Sequence, residues 1–388
     1  MEVKQGYKKT EIGIIPEDWE VVHIGNLFEF KNGLNKEKQY FGKGTPIVNY
    51  MDVYKNNGLY ANGIQGKVTL SRQEIKNYEV KKGDVFFTRT SETVDEIGVS
   101  SVMLEDVKDT VFSGFILRAR PKNNSLFDNY KKYCFSTQQV RKEITNKSTY
   151  TTRALTNGRL LSQVKIPLPS YKEQTAIATA LSDTDALIES LENLIAKKRL
   201  IKQGAMQELL KPKEGWEMKK LGDSLVIKKG QLITESKTIN GNIPVIAGGK
   251  TPAYFHNKAN RFGKTITVSC SGASAGYVAF HNYPIFASDC STIEEHKDYS
   301  IQYIFYLLLS IQDKIYKMQT GGAQPHIHPS DLRPIELPFP KKEKQEQIAT
   351  ILSDMDKEVE ALEFKLEKYR KIKVGMMQQL LTGKIRLV

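Results

Sequence analysis

The chain contains the same long helix twice. Residues 167–210 realign on residues 338–381 with a constant offset of 171 and no gap, and 22 of the 44 paired positions are identical. In the second copy Ile348, Leu352, Met355, Val359, Leu362, Leu366 and Tyr369 recur at alternating spacings of four and three. That spacing is the a/d seam of a coiled coil. The first copy places Ile177, Leu181, Thr184, Ile188, Leu191, Ile195 and Lys198 on the same seam, more weakly. A Pro-x-Pro pair (Pro167/Pro169, Pro338/Pro340) precedes each helix and keeps proline out of its interior. At about 1.5 Å per residue, each copy makes a rod of about 60 Å. Helices of that length need a partner, and two copies in one chain supply it. The reading is therefore of a pseudo-twofold molecule whose two rods pair with each other.

The repeat extends beyond the rods. Trp19-Glu20, Gly25 and Lys31-x-Gly33 return at an offset of 197 as Trp216-Glu217, Gly222 and Lys228-x-Gly230. The change of offset makes the second intervening module 26 residues shorter than the first. The chain divides into a module over 1–166, a rod over 167–212, a second module over 213–337 and a second rod over 338–388. Diverged modules around a constant rod place variable business in the modules and architecture in the rods.

Each module reads as a small α+β domain of short strands broken by Gly, Asn and Pro. The strand segments are Thr45–Val48, Asp84–Thr88 and Phe115–Leu117 in the first, and Ile243–Ile246, Thr265–Val268 and Gly276–Phe280 in the second. Late helical stretches fall near Asp128–Glu143 and Ile301–Met318. The 388 residues are enough for two or three domains with cores of their own. The longest apolar run, Tyr303–Leu309, is too short to span a bilayer, and the first residues carry no secretory pattern. Three cysteines, Cys134, Cys270 and Cys290, form no CxxC pair. The expectation is a cytoplasmic protein of a reducing compartment.

The net charge is +13, of which the first module carries +7, the first rod 0, the second module +3 and the second rod +3. Basic modules fit nucleic acid through phosphate neutralisation, although charge alone also serves solubility. Aligning the modules pairs 82–91 with 263–272, and 147–153 with 319–326, as loops that carry recognition. The candidate DNA contacts are Lys31, Thr88, Arg89, Thr90, Ser91, Tyr150, Thr151 and Arg153 in the first module. In the second they are Lys250, Tyr254, Ser269, Ser271, Ser274, Gln324 and His326. Arg grips guanine bidentately, Gln grips adenine, and hydroxyls position phosphates. A turn explains a Ser/Thr/Gly cluster as readily as a contact does.

No catalytic constellation is present. Gly248–Thr251 and Gly263–Thr265 lack the upstream glycine of a phosphate loop. His326-x-His328 has no further ligand at metal spacing, so no metal site is expected. The repeated carboxylates Asp183/Asp185 and Asp354/Asp356 fall where helix carboxylates are solvated. Repeated polar positions on the rods (Lys197/Lys368, Arg199/Arg370, Gln207/Gln378) suit two identical partners.

On these residues the chain resembles the specificity subunits of type I restriction–modification enzymes. The resemblance rests on the module–rod–module–rod order and on the opening Thr10-Glu11-Ile12-Gly13-x-Ile15-Pro16-x-Asp18-Trp19. It rests also on twin rods that carry Gln followed by Ile-Ala-x-x-Leu and end Met-Gln-x-Leu-Leu. It implies two target recognition domains, each reading half of a split double-stranded DNA site, with rods paired as an antiparallel coiled coil. It implies a noncatalytic, bacterial or archaeal chain that binds no cofactor. Its partners would be two modification subunits with S-adenosylmethionine and two restriction subunits using ATP and Mg. The competing reading is a two-module coiled-coil scaffold for protein partners, which would not need basic modules.

Overall fold

The computed structural model describes residues 4–322 and 324–387, so Ala323 within the 319–326 loop lies outside the described residues. The chain forms two compact units, Met1–Ser190 with Leu366–Val388, and Leu191–Lys365. Each unit holds one module and a stretch of both rods.

The rods are single helices of 39 residues, Tyr171–Leu209 and Lys342–Leu380. Ser170 starts the first: its hydroxyl accepts the Glu173 N–H at 3.2 Å. Along the seam Ile177, Leu181, Leu191, Ile195, Ile348, Leu352 and Leu366 are buried. Ile188, Met355, Val359, Leu362 and Tyr369 are half-buried, so no expected seam position faces solvent. Within the first unit Thr184 meets Met376 and Asp185 meets Lys373. Within the second, Arg199 meets Glu363 and Lys202 meets Asp356. Rising numbers on one rod run against falling numbers on the other in both units, so the pairing is antiparallel.

The fold class is α+β, and the two modules share one topology. In the first, β1 (Phe28–Asn32), β2 (Gly58–Leu59), β3 (Val85–Thr88), β4 (Ser100–Met103) and β5 (Ile116–Pro121) form a sheet in the order β1-β5-β3-β4-β2. In the second, β6 (Ile227–Lys229), β7 (Thr265–Ser269), β8 (Val278–His281) and β9 (Cys290–Glu294) run β6-β9-β7-β8. The second sheet repeats the first without its parallel edge strand. A three-stranded sheet centred on Phe41–Val48 in one module and on Ile243–Ile246 in the other is likewise repeated. Each module closes with a two-stranded ribbon, Glu20–His23 with Lys165–Leu168 and Glu217–Lys220 with Glu336–Phe339. The ribbon delivers the chain straight into its rod.

Core packing welds module to rod. The first core joins Trp19, Phe87, Tyr130 and Ile144 to Ile177, Ala178 and Leu181 of the first rod and to Leu380 and Leu381. The second joins Leu221, Ile266 and Tyr303 to Ile348, Ala349 and Leu352. A repeated glutamine seals each joint. Buried Gln174 accepts the Phe127 N–H at 2.9 Å and donates to the Pro169 carbonyl at 3.0 Å. Its copy, Gln345, accepts the Ser300 N–H at 3.0 Å and donates to the Pro340 carbonyl at 2.8 Å.

The repeated Lys-x-Gly motif has a packing cause. A Cβ on Gly33 would stand 2.1 Å from the Ser113 carbonyl oxygen, and one on Gly230 would stand 2.1 Å from that of Ser288. Both positions admit only glycine because a neighbouring backbone crosses there.

One expectation is overturned. Asp185 and Asp356 are not solvated helix carboxylates. Tyr133 and Tyr306 each donate a hydroxyl to them at 2.7 Å, and a lysine pairs with each. They are half-buried because the late module helices pack over that face of the rods. Asp183 and Asp354 are exposed as expected.

Candidate nucleic-acid interface

In the first module the strand β3 runs into the loop that carries the candidate residues. Thr90 and Ser91 pair with Leu155 and Ala154, and Ala154 pairs in turn with Tyr150. Two segments some 60 residues apart thus form one three-stranded sheet at the end of the main sheet. Its hairpin tip closes with the Thr151 N–H donated to the Arg153 carbonyl at 3.2 Å. Tyr150 is 59% exposed, and Thr151 and Arg153 stand in solvent. Arg153 has a loose ion pair with exposed Glu92 at 3.7 Å. Hydroxyl, guanidinium and phenol ring therefore project together.

Of the other candidates of this module, Thr88 and Ser91 are buried, Arg89 and Thr90 are half-buried, and Lys31 is exposed but engaged by its own module. Thr88 is fully buried, its hydroxyl accepting the Val99 N–H at 3.0 Å. Ser91 is buried and accepts the Thr93 N–H at 3.2 Å. Arg89 braces the neighbouring turn by donating to the Gly114 carbonyl at 2.9 Å. Lys31 donates to the Asn77 carbonyl at 2.5 Å and lies 5.5 Å over the Tyr78 ring. Next to Arg89, Phe115 is 69% exposed. It stands outside β5, to which its sequence pattern assigned it, and it offers a flat face beside the loop. An apolar residue following Ser-Gly was the only signal for it.

The second module repeats the arrangement in shorter form. Ser271, just past β7, bridges to His326, and His326 bridges to Thr320. The Thr320 and His326 backbones exchange hydrogen bonds of 3.0 and 2.8 Å, and Gly272 donates to the Pro325 carbonyl at 3.1 Å. The Gly248–Lys250 loop comes against the same place: a Cβ on Gly248 would meet the Ser271 carbonyl at 2.6 Å. Lys250 is exposed, its ammonium 5.6 Å from the Tyr277 ring centre. Gln324 is exposed, and half-buried His326 stacks on His328 with centroids 6.2 Å apart.

Here too some candidates are used structurally. The Ser271 hydroxyl donates to the Asp289 carboxylate, a residue that sequence reasoning missed. Ser269 is buried, its hydroxyl without a partner among the described residues. Ser274 is half-buried, and its carbonyl accepts the Tyr277 N–H at 2.9 Å. Tyr254 belongs to the three-stranded sheet centred on Ile243–Ile246 and is half-buried.

Below this surface, burial depresses the His281 imidazole to about 4. The ring is thus neutral near pH 7, 2.9 Å from the Thr267 hydroxyl. No group of three or more His, Cys, Asp and Glu side chains among the described residues could hold a metal ion. Nor is any helix among them long and apolar enough to cross a membrane. The two loop clusters offer hydrogen-bond donors and acceptors, positive charge and stacking faces.

Comparison with known proteins extends over the whole chain. It is similar to the putative type I restriction enzyme MjaX specificity subunit of Methanocaldococcus jannaschii, at 27% identity over 420 residues, covering 99% of this chain and 97% of that one. The MjaVIII specificity subunit of the same organism matches at 24% over 432 residues, with the same coverage of both chains. The crystal structure of a type I restriction–modification system S subunit from M. genitalium shares the fold, with a TM-score of 0.65 at 17% identity over 98% of both chains. The family model described as the type I restriction modification DNA specificity domain matches residues 16–198 and 213–368. With that match across both modules and most of both rods, the chain belongs to the type I restriction–modification specificity family.

Proposed function

We propose that each module reads one half of a bipartite, asymmetric double-stranded DNA site, and that the paired rods hold the two readers at a fixed separation. One observation carries this reading: the two modules present the same two loop segments, joined in the same way. The exposed Tyr150, Thr151 and Arg153 of one correspond to the Gln324 and His326 region of the other. Loops held by a sheet give a reader that varies in sequence without disturbing the scaffold. The charge of +7 on the first module supplies phosphate attraction.

The chain contributes recognition and no catalysis. Methyl transfer from S-adenosylmethionine to adenine and ATP- and Mg-dependent cleavage belong to two modification and two restriction subunits. Their docking is supported by a groove that recurs in each unit. A cavity of about 690 Å³ in the first is lined by Asp185, Glu189, Lys373 and Met377 among others. One of about 640 Å³ in the second is lined by their copies Asp356, Glu360, Lys202 and Met206. Two like surfaces on one chain suit two copies of one partner.

The test replaces residues 149–155 with an unrelated hairpin and maps methylated adenines in cells that also carry the modification subunit. One half of the motif changes and the other stays. Loss or change of both halves together contradicts modular reading.

A further inference from the structure

Each unit contains one copy of a polar cluster that the hydrophobic seam does not require. In the first, Lys373 Nζ lies 2.5 Å from Asp185 Oδ1, and the Tyr133 hydroxyl donates to Asp185 Oδ2 at 2.7 Å. In the second, Lys202 pairs with Asp356 Oδ1, and the Tyr306 hydroxyl donates to Asp356 Oδ2 at 2.7 Å. Both aspartates and both lysines are related by the 171-residue repeat.

We propose that this duplicated Asp–Lys pair selects the antiparallel orientation and register of the rods, and so fixes the length of unread DNA. The proposal rests on the reading of the rods as a spacer. Leu and Ile on a seam pack in either orientation, so apolar residues alone do not choose between them. Parallel, in-register pairing of two homologous rods would set each residue against its own copy. Lys202 and Lys373, both at a positions, would then face each other, and neither aspartate, at e, would meet a lysine. Antiparallel pairing sets aspartate against lysine twice. A slip along the rods separates all four half-buried charges from their partners, which is where breaking an ion pair is most costly. The tyrosines extend the selection to the modules. Tyr133 lies on the helix Asp128–Cys134 and Tyr306 on Ile301–Ser310, so each module is pinned to its rod at one height.

The experiment uses the full chain co-expressed with its modification subunit, with methylated adenines mapped genome-wide. The unsubstituted chain is mapped in parallel; if it shows no split motif, the DNA-reading proposal fails and not this one. Against a split motif, D185K/K202D places like charges together in both units. Methylation at the original gap falls at least tenfold. Adding D356K/K373D to that variant restores complementary pairs, and with them the original gap. The inference is overturned if the double variant keeps the original gap at full level. It is overturned equally if the quadruple variant fails to recover it, including where the double variant does not fold.

Discussion

Arg386 and Glu173 are 213 residues apart in sequence and form a two-pronged ion pair. Arg386 Nε lies 2.6 Å from Glu173 Oε1, and Nη2 lies 2.9 Å from Oε2. Glu173 is fully buried, and Trp19 Nε1 donates to it at 2.8 Å. The same guanidinium forks onto Asp18 at 2.9 and 2.7 Å, which holds the Asp18 carboxyl below its usual range. Asp18, near one end of the sequence, and Arg386, near the other, thus clasp the first unit shut.

Removing that clasp leaves a buried carboxylate with the indole as its remaining donor. R386A should destabilise the first unit by about 3–5 kcal/mol in urea unfolding, the range for orphaning a buried charge. R386K should recover only part of this, because an ammonium cannot bridge two carboxylates with paired N–H groups.

G33A and G230A should each destabilise by about 1–3 kcal/mol, the range for overpacking a filled site. Both carry a Cβ into a carbonyl oxygen of a crossing strand. Thermal melting of the two variants should show losses in the same direction. No change in either would contradict the reading of the repeated motif as a close approach.

Burial of His281 gives acid sensitivity. Its folded value near 4 lies below the ordinary value near 6.5, so the unfolded chain takes up more protons between them. The contribution is fully present above pH 6.5 and is lost as pH falls toward 4. Between pH 7 and pH 5 this single group should cost on the order of 2 kcal/mol. In H281N the acid-induced drop should shrink by that amount, measured by unfolding at both pH values.

Insertion of one helical turn, four residues, between Asp185 and Lys202 and again between Asp356 and Lys373 keeps the charge pairs matched and adds about 6 Å of rod. The unread gap should lengthen while both half-site sequences stay unchanged, as read from methylation maps. An unaltered gap would show that rod length does not set it.

The rods were legible because a duplicated a/d seam is a strong, long-range signal: every expected seam position is buried or half-buried. The modules were legible in class and in six strand segments. Ser100–Met103 and Cys290–Glu294 escaped because Ser, Thr and Cys dilute their apolar pattern although the strands are interior. Aligning the modules brought out the two loop pairs that the fold sets side by side. It could not separate Arg153, which faces solvent, from Arg89, which braces a backbone turn, since both are arginines that follow a threonine. Nor does helical periodicity show that Asp185 and Asp356 lie beneath tyrosines from another part of the chain.

The most direct measurement expresses this chain with its cognate modification subunit in a methylation-free host and sequences modified adenines genome-wide. The account predicts one split, asymmetric motif with a constant number of unread base pairs between its halves. A continuous motif, a variable gap, or no modified adenine although the complex forms would contradict it.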